Sequence, residues 1–201
     1  MDRENLRRLL KRYRDRHPDE IATIDRIQTL VANEQRCFHR DCFPGHITAS
    51  AWIVSRESGA ALFTHHRKLG RWLQLGGHVD GDPDLLASAI REAEEESGLR
   101  DFESLPKGPV CEILDVDVHD IPARASEPRH QHHDIRFLLQ VSDQQAIVHQ
   151  ASESKEIRWF DAAAFAAQFD EESLTRMARK AADWLSRVPV GPITPSHRSG
   201  D

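Results

Sequence analysis

The chain has 201 residues, 39% of them apolar, which is enough for one sizeable core at about 150 residues per domain. Its 27 Lys and Arg against 33 Asp and Glu leave a net charge of −6, which argues against a nucleic-acid polymer as partner and fits a small phosphorylated substrate brought in with a cation. Cys37, Cys42 and Cys111 are too few and too odd in number for a disulfide framework, no apolar run approaches the ~18 residues of a membrane span, and the opening MDRENLRRLLKRYRDRH lacks the apolar heart of a secretory signal, so a soluble cytoplasmic protein is expected.

Leu6, Leu9, Leu10 and Tyr13 recur at helical spacing, and Ile21, Ile24, Ile27 and Val31 do so again after the His17-Pro18 break, which predicts two N-terminal helices. The first is rich in Arg and Lys and reads as a helix docked to the core or to a second subunit, so a homodimer is compatible with it. Residues 1–44 are thus expected as a helical extension, 45–188 as the main domain and the Pro-, Ser- and Gly-rich 189–201 as a loose tail. Residues 48–54 and 60–64 read as a hairpin around the Glu57-Ser58-Gly59 turn, and 68–74 as a loop. A helix is expected over 83–97, with Asp82 as N-cap, Pro83 in its first position and Gly98 as a left-handed stop. Strands follow over 110–118, 135–141 and 157–160, then helices over 162–168 and 172–188, giving an α/β chain.

The helix over 83–97 carries the chemistry. At 100° per residue, Glu92, Glu95 and Glu96 share one face, while Leu85, Leu86, Ala89, Ile90 and Ala93 form the buried stripe opposite. Three adjacent carboxylates repel, and either solvent or a hard cation such as Mg²⁺ or Mn²⁺ offsets that repulsion. A charge run by itself is usually a solvated face.

The surrounding pattern resembles the signature box of the Nudix hydrolases: Gly, five residues, Glu, seven residues, then Arg-Glu-apolar-x-Glu-Glu-x-Gly-apolar. Gly77, Arg91, Glu92, Ala93, Glu95, Glu96, Gly98 and Leu99 match it, and Pro83 stands where the family has its first Glu, flanked by Asp82 and Asp84 as substitutes. The resemblance implies an αβα sandwich with a mixed sheet and hydrolysis of a nucleoside diphosphate linked to another moiety. It further implies Mg²⁺ or Mn²⁺ held by Glu92, Glu95, Glu96 and the Gly77 carbonyl, with Arg91 orienting Glu92 and either Glu153 or Glu156 serving as base. The alternative is a Nudix-fold ligand-binding or sensor domain without catalysis, which Pro83 favours and the retained carboxylate trio opposes.

Twelve histidines are the second unusual feature. His130, His132 and Asp134 alternate ahead of the strand IRFLLQ and share one face where extended geometry starts early, and imidazole with carboxylate suits Zn²⁺, Mn²⁺ or Fe²⁺. A more distant resemblance, to isopentenyl diphosphate isomerases, implies a second, transition-metal site: His39 and His46 are seven apart, His78 follows Gly77, and His132 and Asp134 take the places of two alternating carboxylates. The isomerase cysteine is Gly76 here, which weakens prenyl diphosphate isomerisation as a reading. Cys37, His39, Cys42 and His46 form a competing zinc set whose spacing matches no common pattern. Substrate phosphates are expected to meet Arg67, Lys68, Arg71, Arg129 and Arg136, since guanidinium suits phosphate.

Overall fold

In the computed structural model, residues 3–108, 111–124, 127–148, 154–168 and 171–187 are described. The sheet is organised around one long strand, β1 (Gly45–Ser55), buried along its whole length. Its parallel neighbour is β7 (His130–Val141), paired from Gly45↔Gln131 to Ser55↔Val141. The other side of β1 is shared by β2 (Ala61–His66) at one end and β4 (Leu75–His78) at the other. Strands β3 (Arg71–Leu73) and β8 (Ser154–Phe160) extend β2, while β5 (Glu103–Leu105) and β6 (Asp115–Ile121) both pair with β7. The result is an eight-stranded mixed sheet.

Side chains alternate across a strand, and β1 sorts its residues accordingly. Ile47, Ala49, Ala51 and Ile53 join one apolar cluster with helices α1 (Arg3–Arg16), α2 (Ile21–Asn33) and α3 (Leu85–Ser97). Trp52 and Val54 join the other, with α4 (Ala162–Gln168) and α5 (Glu172–Arg187). Helices on both faces make the αβα sandwich. Leu6, Leu9, Leu10 and Tyr13 of α1 are all buried in the first cluster, so the N-terminal helices are part of the main core. At roughly 1.5–3 kcal/mol per buried aliphatic side chain, this docking is a large share of the chain's stability.

Helix α3 starts later than its sequence suggests. The capping carboxylate is Asp84, which accepts from the Ala87 N–H at 3.1 Å, whereas Asp82 accepts the Asp84 N–H in a local turn and Pro83 lies outside the helix. The helix stops at Gly98, φ 73°, as the glycine signal predicts. The expected loop over 68–74 contains β3, recruited by pairing with β2. Of the strand expected over 110–118, residues 111–114 are irregular and the ladder runs from Asp115 on to Ile121, while residues 109–110 lie outside the described residues. The strand expected over 135–141 begins five residues earlier, at His130. Residues 188–201, with the expected tail, also lie outside the described residues.

Candidate active site

Helix α3 packs across β4 and β1, and Gly77 of β4 lets it approach. A Cβ on Gly77 would stand 2.5 Å from Glu92 Oε2, so the absence of a side chain is what lets the Glu92 carboxylate rest against the strand. The backbone N–H of Gly76 donates to Glu96 Oε1 at 2.8 Å, fixing the buried end of the acidic face. Arg91 donates to Glu92 at 2.8 Å, to Glu95 at 3.3 Å and to the His78 carbonyl at 2.9 Å, tying the helix to the strand on the side of solvent. Burial disfavours the Arg91 cation, but Glu92 and Glu95 outweigh it and raise its pKa above the ordinary value.

Glu92, Glu95 and Glu96 stand at i, i+3 and i+4 of α3 and share one helical face. Glu92 is 15% exposed and Glu95 52%, so the Arg91–Glu95 contact is long, solvated and inexpensive to exchange for a cation. The donors are all oxygen, which suits Mg²⁺ or Mn²⁺ rather than a softer metal.

The opposite face of the same strands carries the histidines. The register sets His46, His132 and His119 side by side on β1, β7 and β6, and His78 of β4 pairs with Thr48 of β1. Ring centroids are 4.8 Å apart for His46 and His132, 5.0 Å for His46 and His130, and 5.1 Å for His46 and His78. Burial, ahead of every charge effect, lowers the pKa of His46 to about 4 and of His132 to about 2, and lowers that of His78. The rings of His46, His132 and His78 are therefore neutral at pH 7.

Next along the sheet lies a buried ionic cluster. Arg136, 3% exposed, donates to Asp134 at 2.9 Å and to Asp115 at 3.0 Å, and lies 3.3 Å from Asp117. Arg176 and Lys180 of α5 reach Asp115 at 2.8 and 2.6 Å, and Lys180 also binds Tyr13 of α1 and Glu20. Asp134 further accepts from Thr48 at 2.9 Å and Ser50 at 2.7 Å. The cluster therefore clamps α1 and α5 to the sheet beside the histidines, on the same face of β6 and β7.

The other residues singled out from sequence are scattered. His39 is exposed with its ring beside Gly81, and the oxygens of Asp134 are taken by Thr48, Ser50 and Arg136. The set Cys37, His39, Cys42 and His46 does not converge; Cys37 and Cys42 are buried in the core with thiols raised by burial. Arg136 is held by three aspartates, as a buried guanidinium needs paired anions. Arg129 pairs with Asp120 at 2.6 Å and Arg71 with Glu171 at 3.5 Å, while Arg67 and Lys68 are exposed in the β2–β3 turn. Glu156 is exposed on β8, 3.6 Å from Arg158, and Glu153 lies outside the described residues. His130 joins the rings through the early start of β7, which its alternation with His132 signals in the sequence.

A family model for the NUDIX domain matches residues 44–185. A probable DHNTP pyrophosphohydrolase from Lactococcus lactis is 33% identical over 102 residues, which are 50% of this chain, and the chain spans only 57% of that relative's length. Among solved structures, a hydrolase of the NUDIX family from Clostridium perfringens is 26% identical with a TM-score of 0.52, over 70% of this chain and 97% of that one. A C. elegans Ap4A hydrolase, 17% identical, aligns with a TM-score of 0.54 over the same 70% of this chain and 97% of its own, and shares the fold.

Proposed function

The chain belongs to the Nudix family; from that premise we propose that it is a hydrolase of that type, which cleaves a diphosphate linkage in a small nucleotide derivative, using Mg²⁺ or Mn²⁺. The observation that carries this reading is the seat of the acidic face, with Glu92 against Gly77, Glu96 on the Gly76 N–H and Arg91 joining Glu92, Glu95 and the His78 carbonyl. A domain that only bound a ligand would gain nothing from holding three mutually repelling carboxylates on one turn.

Glu92, Glu95, Glu96 and the Gly77 carbonyl are the groups that would hold the cation, which supplies Lewis-acid neutralisation of charge on the diphosphate oxygens. Arg91 positions Glu92 through a charge-assisted hydrogen bond and neutralises part of the repulsion while the helix folds. In the reaction, a water oxygen forms a new bond to one phosphorus, the bridging P–O bond breaks, and the leaving phosphate takes the electron pair. The proton lost by water passes to a carboxylate, for which we assign Glu153 or Glu156, the latter exposed on β8. Among the exposed cations, Arg67, Lys68, Arg71 and Arg129 are the assigned contacts for substrate phosphates.

The test is a panel of DHNTP, Ap4A, ADP-ribose and nucleoside triphosphates, incubated with the full chain and Mg²⁺ or Mn²⁺, with phosphorylated products followed by chromatography. Cation-dependent cleavage of a diphosphate linkage supports the assignment. Binding of a panel member without turnover under either cation would point instead to a sensor.

A further inference from the structure

The histidine rings take no part in the chemistry assigned to α3, and three of them converge. His46, His130 and His132 each offer one ring nitrogen, and the three nitrogens lie within 4.8 Å of one another, alone among groups of three or more His, Cys, Asp and Glu in the described residues. His46 is 1% exposed and His130 4%. Nε2 of His46 and Nε2 of His132 are buried without a hydrogen-bond partner among the described residues, a state that buried polar atoms rarely tolerate.

The far sides of two rings are oriented. His46 Nδ1 faces the Cys42 carbonyl at 3.3 Å, and His130 Nδ1 faces the Pro128 carbonyl at 2.9 Å. A carbonyl accepts only from a protonated Nδ1, so each ring is set in the tautomer whose Nε2 carries the lone pair. This is the support that metal-binding imidazoles receive from behind.

We propose that His46, His130 and His132 form a site for a divalent first-row transition metal, of the Zn²⁺, Co²⁺ or Fe²⁺ class, on the sheet face opposite α3. Neutral imidazole nitrogen suits these ions and not Mg²⁺, so the two metal sites of the protein differ in the ions they select. This set leaves out Asp134, whose oxygens are occupied by Thr48, Ser50 and Arg136, and His39, which is exposed. Three nitrogens at ~2.0–2.1 Å from a tetrahedral ion stand about 3.3 Å apart, which the rings reach by small side-chain rotations. His78 and His119, with ring centroids 5.2 and 5.5 Å from His132, border the position left for a fourth ligand.

The experiment is a Co²⁺ titration of the chelator-stripped full chain near neutral pH, read in the visible spectrum and needing no turnover. The expected result is a ligand-field band that saturates near about one equivalent, is discharged by Zn²⁺ and not by Mg²⁺, and survives Glu95→Gln. His46→Gln and His132→Gln each weaken binding at least about tenfold, as does His130→Gln, with folding checked in all three by near-UV circular dichroism. A wild-type spectrum that stays that of aqueous Co²⁺ overturns the proposal, and so does a band left unchanged in those histidine variants that fold. Since the carboxylate hydrolysis is not part of the readout, its failure would leave this result standing.

Discussion

Replacing Gly77 with alanine tests whether the seat of Glu92 controls turnover. The added Cβ would lie 2.5 Å from Glu92 Oε2 and 2.7 Å from its Cδ, where ordinary contact begins at 3.4 Å, so the carboxylate has to retreat by about 0.9 Å. Because the clash is with the end of a flexible side chain, and Gly77 is not among the positive-φ glycines, the fold absorbs it at small cost. Misplacement of a catalytic group by ~1 Å costs up to about 10²-fold, so kcat for the diphosphate the wild type cleaves is expected to fall ~10–100-fold with the melting temperature nearly unchanged. Gly76→Ala is the contrast: its Cβ would stand 2.4 Å from Ser50 Cα and 2.6 Å from the Ala49 carbonyl oxygen, at φ 149°, and backbone cannot step aside. That variant loses about 3 kcal/mol or more in a urea melt. Steady-state kinetics beside thermal melts separate the two, and a Gly77→Ala enzyme with wild-type kcat would refute the reasoning.

Asp84→Ala removes the α3 N-cap bond to Ala87 and should cost about 1 kcal/mol in chemical denaturation, while Asp82→Ala costs less because its bond closes only a local turn. Asp115→Asn strips a fully buried charge from Arg136, Arg176 and Lys180 and is expected to cost about 3–5 kcal/mol. Burial alone would raise the Asp115 carboxyl, yet the Arg176 hydrogen bond and the Arg136 and Lys180 charges hold it below its ordinary 3.8. A depressed carboxyl contributes fully above its unfolded value and loses that contribution as pH falls through the folded one. The stability gap between wild type and Asp115→Asn should therefore be constant above pH 3.8 and narrow below it, as denaturant melts across that range would record.

Helix α3 was legible because its signals are local: apolar spacing, a run of carboxylates at i, i+3 and i+4, and a glycine where the helix has to stop. The hairpin was legible through alternation in the same way, while the start of β7 at His130, ahead of the apolar run, was only hinted at by the alternation of His130, His132 and Asp134. Strands β3, β4 and β5 were not, since each has only three or four residues and owes its extended state to pairing with β2, β1 or β7. The surroundings of Arg136 were not legible either. An arginine beside a phosphate site reads as a ligand until topology brings Asp115, Asp117 and Asp134 around it, and the parallel register of β1 with β7 is what no local pattern announces. The same register carries His46 to His132, while His39, only seven residues earlier, stays outside on the surface.

The claim that the acidic face of α3 performs diphosphate cleavage meets its most direct test in the single-turnover rate of Glu95→Gln and Glu96→Gln with saturating Mg²⁺, on whichever diphosphate the wild type cleaves. The account predicts a loss of ~10²-fold or more in both, with melting curves that still report a folded chain. Wild-type rates in both variants would contradict it.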